Sequence, residues 1–126
     1  MDTSMHMEPQ ENILEYETDT KRRTIICHRQ EVYLGIEKDK WIFPGRTYVL
    51  PTHVKILSIP PNTVGLITRC PWVKSNIDVV PQIIRYGGYI FIEVRNIGFL
   101  PTRISAEQIL ANLTILNRPD CHIVKG

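Results

Sequence analysis

The sequence is poor in every feature that would tie down a small protein covalently or anchor it in a membrane. Its 126 residues hold three cysteines, Cys27, Cys70 and Cys121. They form neither a disulfide framework nor a CxxC zinc pattern, so a reduced setting in cytoplasm or nucleus is the expectation. No apolar run approaches the ~20 residues of a membrane span, and the acidic N-terminus lacks the basic and apolar regions of a secretion signal. A soluble, intracellular chain that is not an integral membrane protein follows. His6, His28, His53 and His122 show no HxH, HxxxH or HExxH spacing, which makes solvated imidazoles the default and leaves no metal site to name. GxGxxG and P-loop patterns are missing as well. The one basic run, Lys21-Arg22-Arg23, has no interleaved aromatics, so specific nucleic-acid binding is not expected. Nine prolines and seven glycines spread along the chain argue against long helices, because proline removes a donor and clashes with the preceding turn.

What is present is one domain's worth of sequence, 43% hydrophobic, long enough to bury an ordinary core. A net charge of +2 hides an asymmetry. Residues 1–20 carry six acids and no Lys or Arg, and the remainder carries 15 basic against seven acidic residues. Residues 1–22 therefore read as an acidic, flexible N-terminal arm, and 23–126 as a basic β domain. The arm is either plainly solvated or folded over a basic surface.

Along the body the apolar period is two. Ile90, Ile92 and Val94 alternate with their neighbours, as do Ile109, Ala111, Leu113 and Ile115, and turn signals such as Pro44-Gly45, Pro60-Pro61-Asn62 and Gly87-Gly88 fall at short spacing. That is the pattern of an all-β sandwich or barrel. Strands are expected near 24–27, 31–36, 40–43, 46–50, 53–59, 64–70, 76–80, 83–86, 89–95, 102–105, 109–116 and 121–124. Ser105-Ala106-Glu107 has the chemistry to open a helix, but the alternation that follows favours a strand. Cys70 sits between an apolar strand and Pro71-Trp72 and reads as a buried structural thiol. Gly87-Gly88 reads as a hairpin turn with positive φ that presents Arg85 and Tyr86 at a rim.

The order of these pieces carries a resemblance. Phe43-Pro44-Gly45-Arg46, then Val49-Leu50-Pro51, then Ile59-Pro60-Pro61-Asn62-Thr63-Val64-Gly65-Leu66-Ile67-Thr68-Arg69 is similar to the central part of the trimeric dUTPase family. There an arginine-serine pair forms the second motif. Asn76-Ile77-Asp78 resembles the segment that follows it, Ile83-Ile84-Arg85-Tyr86-Gly87-Gly88-Tyr89 resembles the uracil-reading hairpin, and Ile104 to Leu113 resembles the fourth motif. The resemblance implies a distorted jelly-roll of short strands, a homotrimer, and nucleotide sites between subunits. In the family, magnesium, carboxylates and a positioned water hydrolyse dUTP to dUMP and pyrophosphate.

At the places where that chemistry resides, the sequence departs. Glu31-Val32-Tyr33-Leu34 stands where the first motif carries its aspartate, Cys70-Pro71 replaces the serine of the second, and Arg85 or a two-residue deletion replaces the third-motif aspartate. Glu107-Gln108-Ile109 stands in the fourth, and no glycine-rich C-terminal arm follows. Arg69, Cys70, Asp78, Arg85, Tyr86, Gly87 and Gly88 are thus the candidates for a vestigial nucleotide pocket, with no catalytic residue among them. The expectation is a catalytically inactive, viral relative, resembling the adenovirus early-region-four first-reading-frame proteins, that acts by binding host signalling or regulatory proteins. Active dUTP diphosphatase, with Mg as cofactor, and a sensor with weak nucleotide binding are the alternatives; without them no cofactor is expected.

Overall fold

The computed structural model describes residues 13–18, 22–26 and 30–117. Among them are eleven strands and no helix: β1 (Ile13–Glu17), β2 (Arg22–Ile26), β3 (Val32–Leu34), β4 (Lys40–Ile42), β5 (Thr47–Ser58), β6 (Thr63–Arg69), β7 (Ile77–Val79), β8 (Gln82–Ile84), β9 (Gly88–Asn96), β10 (Thr102–Ile104) and β11 (Ala111–Asn117). They form a five-stranded sheet in the order β2-β1-β5-β9-β7, a four-stranded sheet in the order β3-β11-β6-β8, and a two-stranded ribbon of β10 and β4. Every ladder is antiparallel.

Alternation explains which face is buried, since successive side chains of a strand point to opposite sides of the sheet. One sheet turns Leu14, Val54, Ile56, Ile77, Val79, Ile90, Ile92 and Val94 inward, and the other answers with Val32, Leu34, Ile67, Ala111, Leu113 and Ile115. Ile42 and Ile104 of the ribbon join the same core. The expected all-β jelly-roll is the observed fold.

Four details differ from the sequence reading. The stretch read as acidic arm contains β1, whose Leu14 is wholly buried; Glu15 and Glu17 masked a five-residue strand. Segments 46–50 and 53–59 are one strand, because β5 continues through a bulge between Pro51 and Lys55. There the Thr52 hydroxyl donates to the Ile90 carbonyl at 2.7 Å and accepts from the Val54 amide at 3.2 Å, which replaces the interrupted ladder. Gly87-Gly88 is not a hairpin: β8 pairs with β6 and β9 with β5 and β7, so the turn crosses from one sheet to the other. Of the two glycines, Gly88 has positive φ (132°), and a Cβ on Gly87 would lie 2.9 Å from the Ile56 carbonyl oxygen. Finally, β11 begins at Ala111, and 105–108 is a turn in which the Ser105 hydroxyl accepts from the Glu107 amide and Gln108 Oε1 accepts from the Ser105 amide. The expected strand 121–124, Cys27, Cys121, His6, His28 and His122 lie outside the described residues.

Candidate functional site

The antiparallel register of β6 with β11 delivers Arg69 and Cys70 to the end of β6, beside the 105–110 segment. The Cys70 amide donates to the Leu110 carbonyl at 3.0 Å, closing that corner. The Cys70 side chain is fully buried, as its position after an apolar strand foretold. Burial pushes its thiol pKa up, the negative charge of Glu31 adds to the rise, and the Arg69 cation opposes it. Cys70 is therefore a buried, protonated thiol.

Arg69 points along its own chain. Its Nε donates to the Ile77 carbonyl at 2.8 Å, Nη2 to the carbonyls of Val73 at 2.5 Å and Lys74 at 2.8 Å, and Nη1 reaches the Cys70 carbonyl at 3.5 Å. A guanidinium has five N–H groups, and four are directed at backbone oxygens of the loop 70–77. Between the buried Cys70 and Ile77, the loop exposes Pro71, Trp72, Lys74 and Ser75. The Trp72 ring stands 6.1 Å from that of Tyr33, tilted by 54°, and both are exposed. A shallow cavity of about 420 Å³ lies between Trp72, Val73, Lys74 and Glu107, Gln108, Ile109.

Glu31 is engaged as well: its Oε1 accepts from Asn112 Nδ2 at 2.9 Å, while Asn112 Oδ1 accepts from the Thr68 hydroxyl at 2.9 Å. Asp78, on β7, stands across the ladder from Arg95 of β9.

The other half of the candidate set lies elsewhere. Ile84, just before Arg85, is paired with Gly65 near the start of β6, four residues from Arg69, or about 13 Å at the usual rise per residue. Arg85, Tyr86 and Gly87 are exposed there. Within one chain the structure thus brings Arg69, Cys70 and Asp78 together and keeps Arg85, Tyr86, Gly87 and Gly88 apart from them. Sequence reasoning missed the Tyr33–Trp72 pair and the apolar loop 97–100; the run Phe99-Leu100 after Gly98 was the available signal for the latter.

Antiparallel ladders of short strands, two facing sheets closed by a ribbon, and an arginine ending the central strand define a dUTPase-like fold. Solved structures with this architecture include the dUTPase of phage phi11 of S. aureus, with TM-score 0.71 and 18% identity over 85% of this chain and 91% of that chain. The dUTPase of Staphylococcus bacteriophage 80alpha superposes with TM-score 0.72 and 19% identity over 85% and 91% of the two chains. A phi11 variant (TM-score 0.71, 18% identity) was solved for its coordination of a structural Mg(II) ion, and the 80alpha work describes control of virulence-gene transfer by a G protein-like mechanism. No protein-family model matches the sequence, and no curated protein matches it. The likeness establishes the fold.

Magnesium requires hard oxygen donors in near-octahedral array. The corner of β6 offers a guanidinium, a thiol, the Lys74 ammonium and one carboxylate, Asp78, with Glu31 committed to Asn112, and no described group of three or more His, Cys, Asp or Glu side chains is placed to share an ion. One carboxylate among cations and a thiol does not fit a magnesium ion.

Proposed function

We propose that this chain is a catalytically silent protein of dUTPase fold that assembles as a homotrimer and works by contacting other proteins. The observation that carries the reading is Arg69, the one polar residue retained from the second motif. Its guanidinium is bonded to four carbonyls of its own chain, where it organises a loop and has no free pair of donors for a phosphate. Beside it, a buried Cys70 takes the place of the serine hydroxyl and Pro71 removes a backbone donor. A guanidinium at position 85 has no basicity to offer a water at neutral pH.

Support for protein contact comes from the surface. Val49 and Phe91 on the outer face of the five-stranded sheet, and Ile83 and Leu116 on that of the four-stranded sheet, are exposed. A protein partner would take these apolar side chains out of water. A regulatory role has a precedent in the 80alpha dUTPase, described as acting by a G protein-like mechanism. The sequence resemblance to the adenovirus proteins supports an action inside a host cell, on signalling or regulatory partners.

The test is pyrophosphate release from dUTP with magnesium, on protein whose trimeric state has been checked by light scattering. A trimer without turnover is expected. Turnover overturns the silent reading in favour of a dUTP diphosphatase, and a monomer overturns the assembly.

A further inference from the structure

The connection between β9 and β10 displays apolar side chains on a backbone tied down by the buried side chain of Asn96. Asn96, fully buried, donates from Nδ2 to the carbonyls of Ile42 at 2.9 Å and Leu100 at 2.8 Å, and its Oδ1 accepts from the Gly98 amide at 2.9 Å. The Ile97 amide donates to the Asn76 carbonyl at 2.8 Å, and the Gly45 amide to the Asn96 carbonyl at 2.9 Å. Held this way, Ile97, Phe99 and Leu100 are 60%, 97% and 74% exposed. Trp41 and Phe43, on either side of the clamped Ile42, are exposed as well.

Around this tip the charges are mostly of one sign. Arg95 precedes Asn96, Arg46 closes the adjoining turn by donating its amide to the Phe43 carbonyl, and the ribbon adds Lys40, opposite Ile104, and Arg103, opposite Trp41. Two acids face the same region: Asp39 accepts from Arg103 and from the Ala106 amide at 2.8 Å, and Asp78 stands across the ladder from Arg95. The collar carries four cations and two acids.

We propose that this tip is a peripheral docking element for an anionic lipid surface, with Phe99 and Leu100 entering the acyl boundary and Arg46, Arg95 and Lys40 resting on the headgroups. The inference is independent of whether the fold has kept catalysis. Charge complementarity selects the occupant: a basic collar around a convex apolar tip matches a layer that is negative outside and apolar beneath. Exposed tryptophan beside such a tip suits the interface between the two. Because the clamp fixes the loop before contact, little ordering entropy opposes docking.

The experiment is co-sedimentation of the full chain with phosphatidylcholine vesicles, with and without phosphatidylserine. Binding is expected to require phosphatidylserine and to weaken as salt rises from about 0.1 to 0.5 M, where screening shortens from roughly 10 Å to a few ångströms. Phe99→Asp with Leu100→Ser should lower it at least about tenfold, with the melting temperature unchanged because neither side chain is buried. Arg46→Glu should lower binding to phosphatidylserine vesicles alone. No sedimentation with phosphatidylserine vesicles, or binding untouched by the double substitution, overturns the proposal; the second result would assign any lipid affinity to another surface.

Discussion

Arg69 Nε donates to the carbonyl oxygen of Ile77 at 2.8 Å, which ties the end of β6 to the start of β7 across an eight-residue separation. The bond gives this arginine a structural task. Arg69→Lys places one ammonium where a planar fork serves carbonyls in several directions, and the loop 70–77 loses its organiser. A loss of about 2 kcal/mol in urea unfolding is expected, given what hydrogen bonds to charged groups contribute. Calorimetry with dUTP should show no difference between the two proteins; a nucleotide heat that vanishes only in the variant would assign Arg69 to a ligand.

Asn96 serves three backbone partners from a site without solvent. Asn96→Ala leaves the carbonyls of Ile42 and Leu100 and the amide of Gly98 without that side chain, at about 1–3 kcal/mol for each buried group left unsatisfied. Asn96→Asp retains the acceptor but removes the donor and buries a charge. Thermal unfolding should rank the proteins wild type, then Ala, then Asp, and proteolysis should find the 97–101 loop in both variants.

The outcomes for Arg69 and Asn96 bear on how much the sequence discloses. Period-two alternation is a direct consequence of strand geometry, so Ile90-Ile92-Val94 and Ala111-Leu113-Ile115 declared their faces without a structure. Ile13–Glu17 stayed hidden because only Leu14 of its five side chains is fully buried, leaving no alternation to see. The bulge after Pro51 was equally silent, since a hydroxyl that substitutes for ladder bonds has no signature beyond a threonine. For the site, residue identity supported only the expectation that the carboxylates and serine of the resembled motifs are absent. Where the Arg69 fork points depends on the path of the 70–77 loop, which composition does not specify.

Cys70 supplies a pH signature. Its pKa is raised in the folded chain, first by burial and then by Glu31, so the fold binds this proton more tightly than the unfolded chain does. The resulting stability is fully present below the ordinary thiol value of 9.0 and is lost as pH rises through the higher folded value. Unfolding free energy should therefore decline above about pH 9, and Cys70→Ala should flatten that decline. A thiol reagent at neutral pH should react with Cys70 only as fast as the protein opens.

β1 lies second in the five-stranded sheet, between the edge strand β2 and β5, and Leu14 is its inward-facing anchor. Leu14→Ala should cost about 2–5 kcal/mol, the range for truncating a buried leucine. Removing residues 1–17 should do more, since it strips β5 of a neighbour and creates an unpaired edge. Chemical denaturation checks the first, and the light-scattering size distribution checks the second through the aggregation an open edge invites.

Gly35 sits under the 105–110 segment so closely that a Cβ would lie 2.5 Å from the carbonyl oxygen of Gln108. The contact is with backbone, so no rotamer change relieves it. The segment is also pinned by the Leu110 amide on the Leu34 carbonyl at 2.8 Å and the Cys70 amide on the Leu110 carbonyl at 3.0 Å. Gly35→Ala should therefore either push Gln108 outward, at about 1–3 kcal/mol for overpacking, or break the bond from Leu110. Gly45→Ala meets no atom within 4 Å but demands a φ near 75°, so its cost is conformational and local. Hydrogen exchange separates the two: in Gly35→Ala the amides of Cys70 and Leu110 should lose protection together, because the displaced segment holds both, whereas in Gly45→Ala they should exchange as in the parent chain.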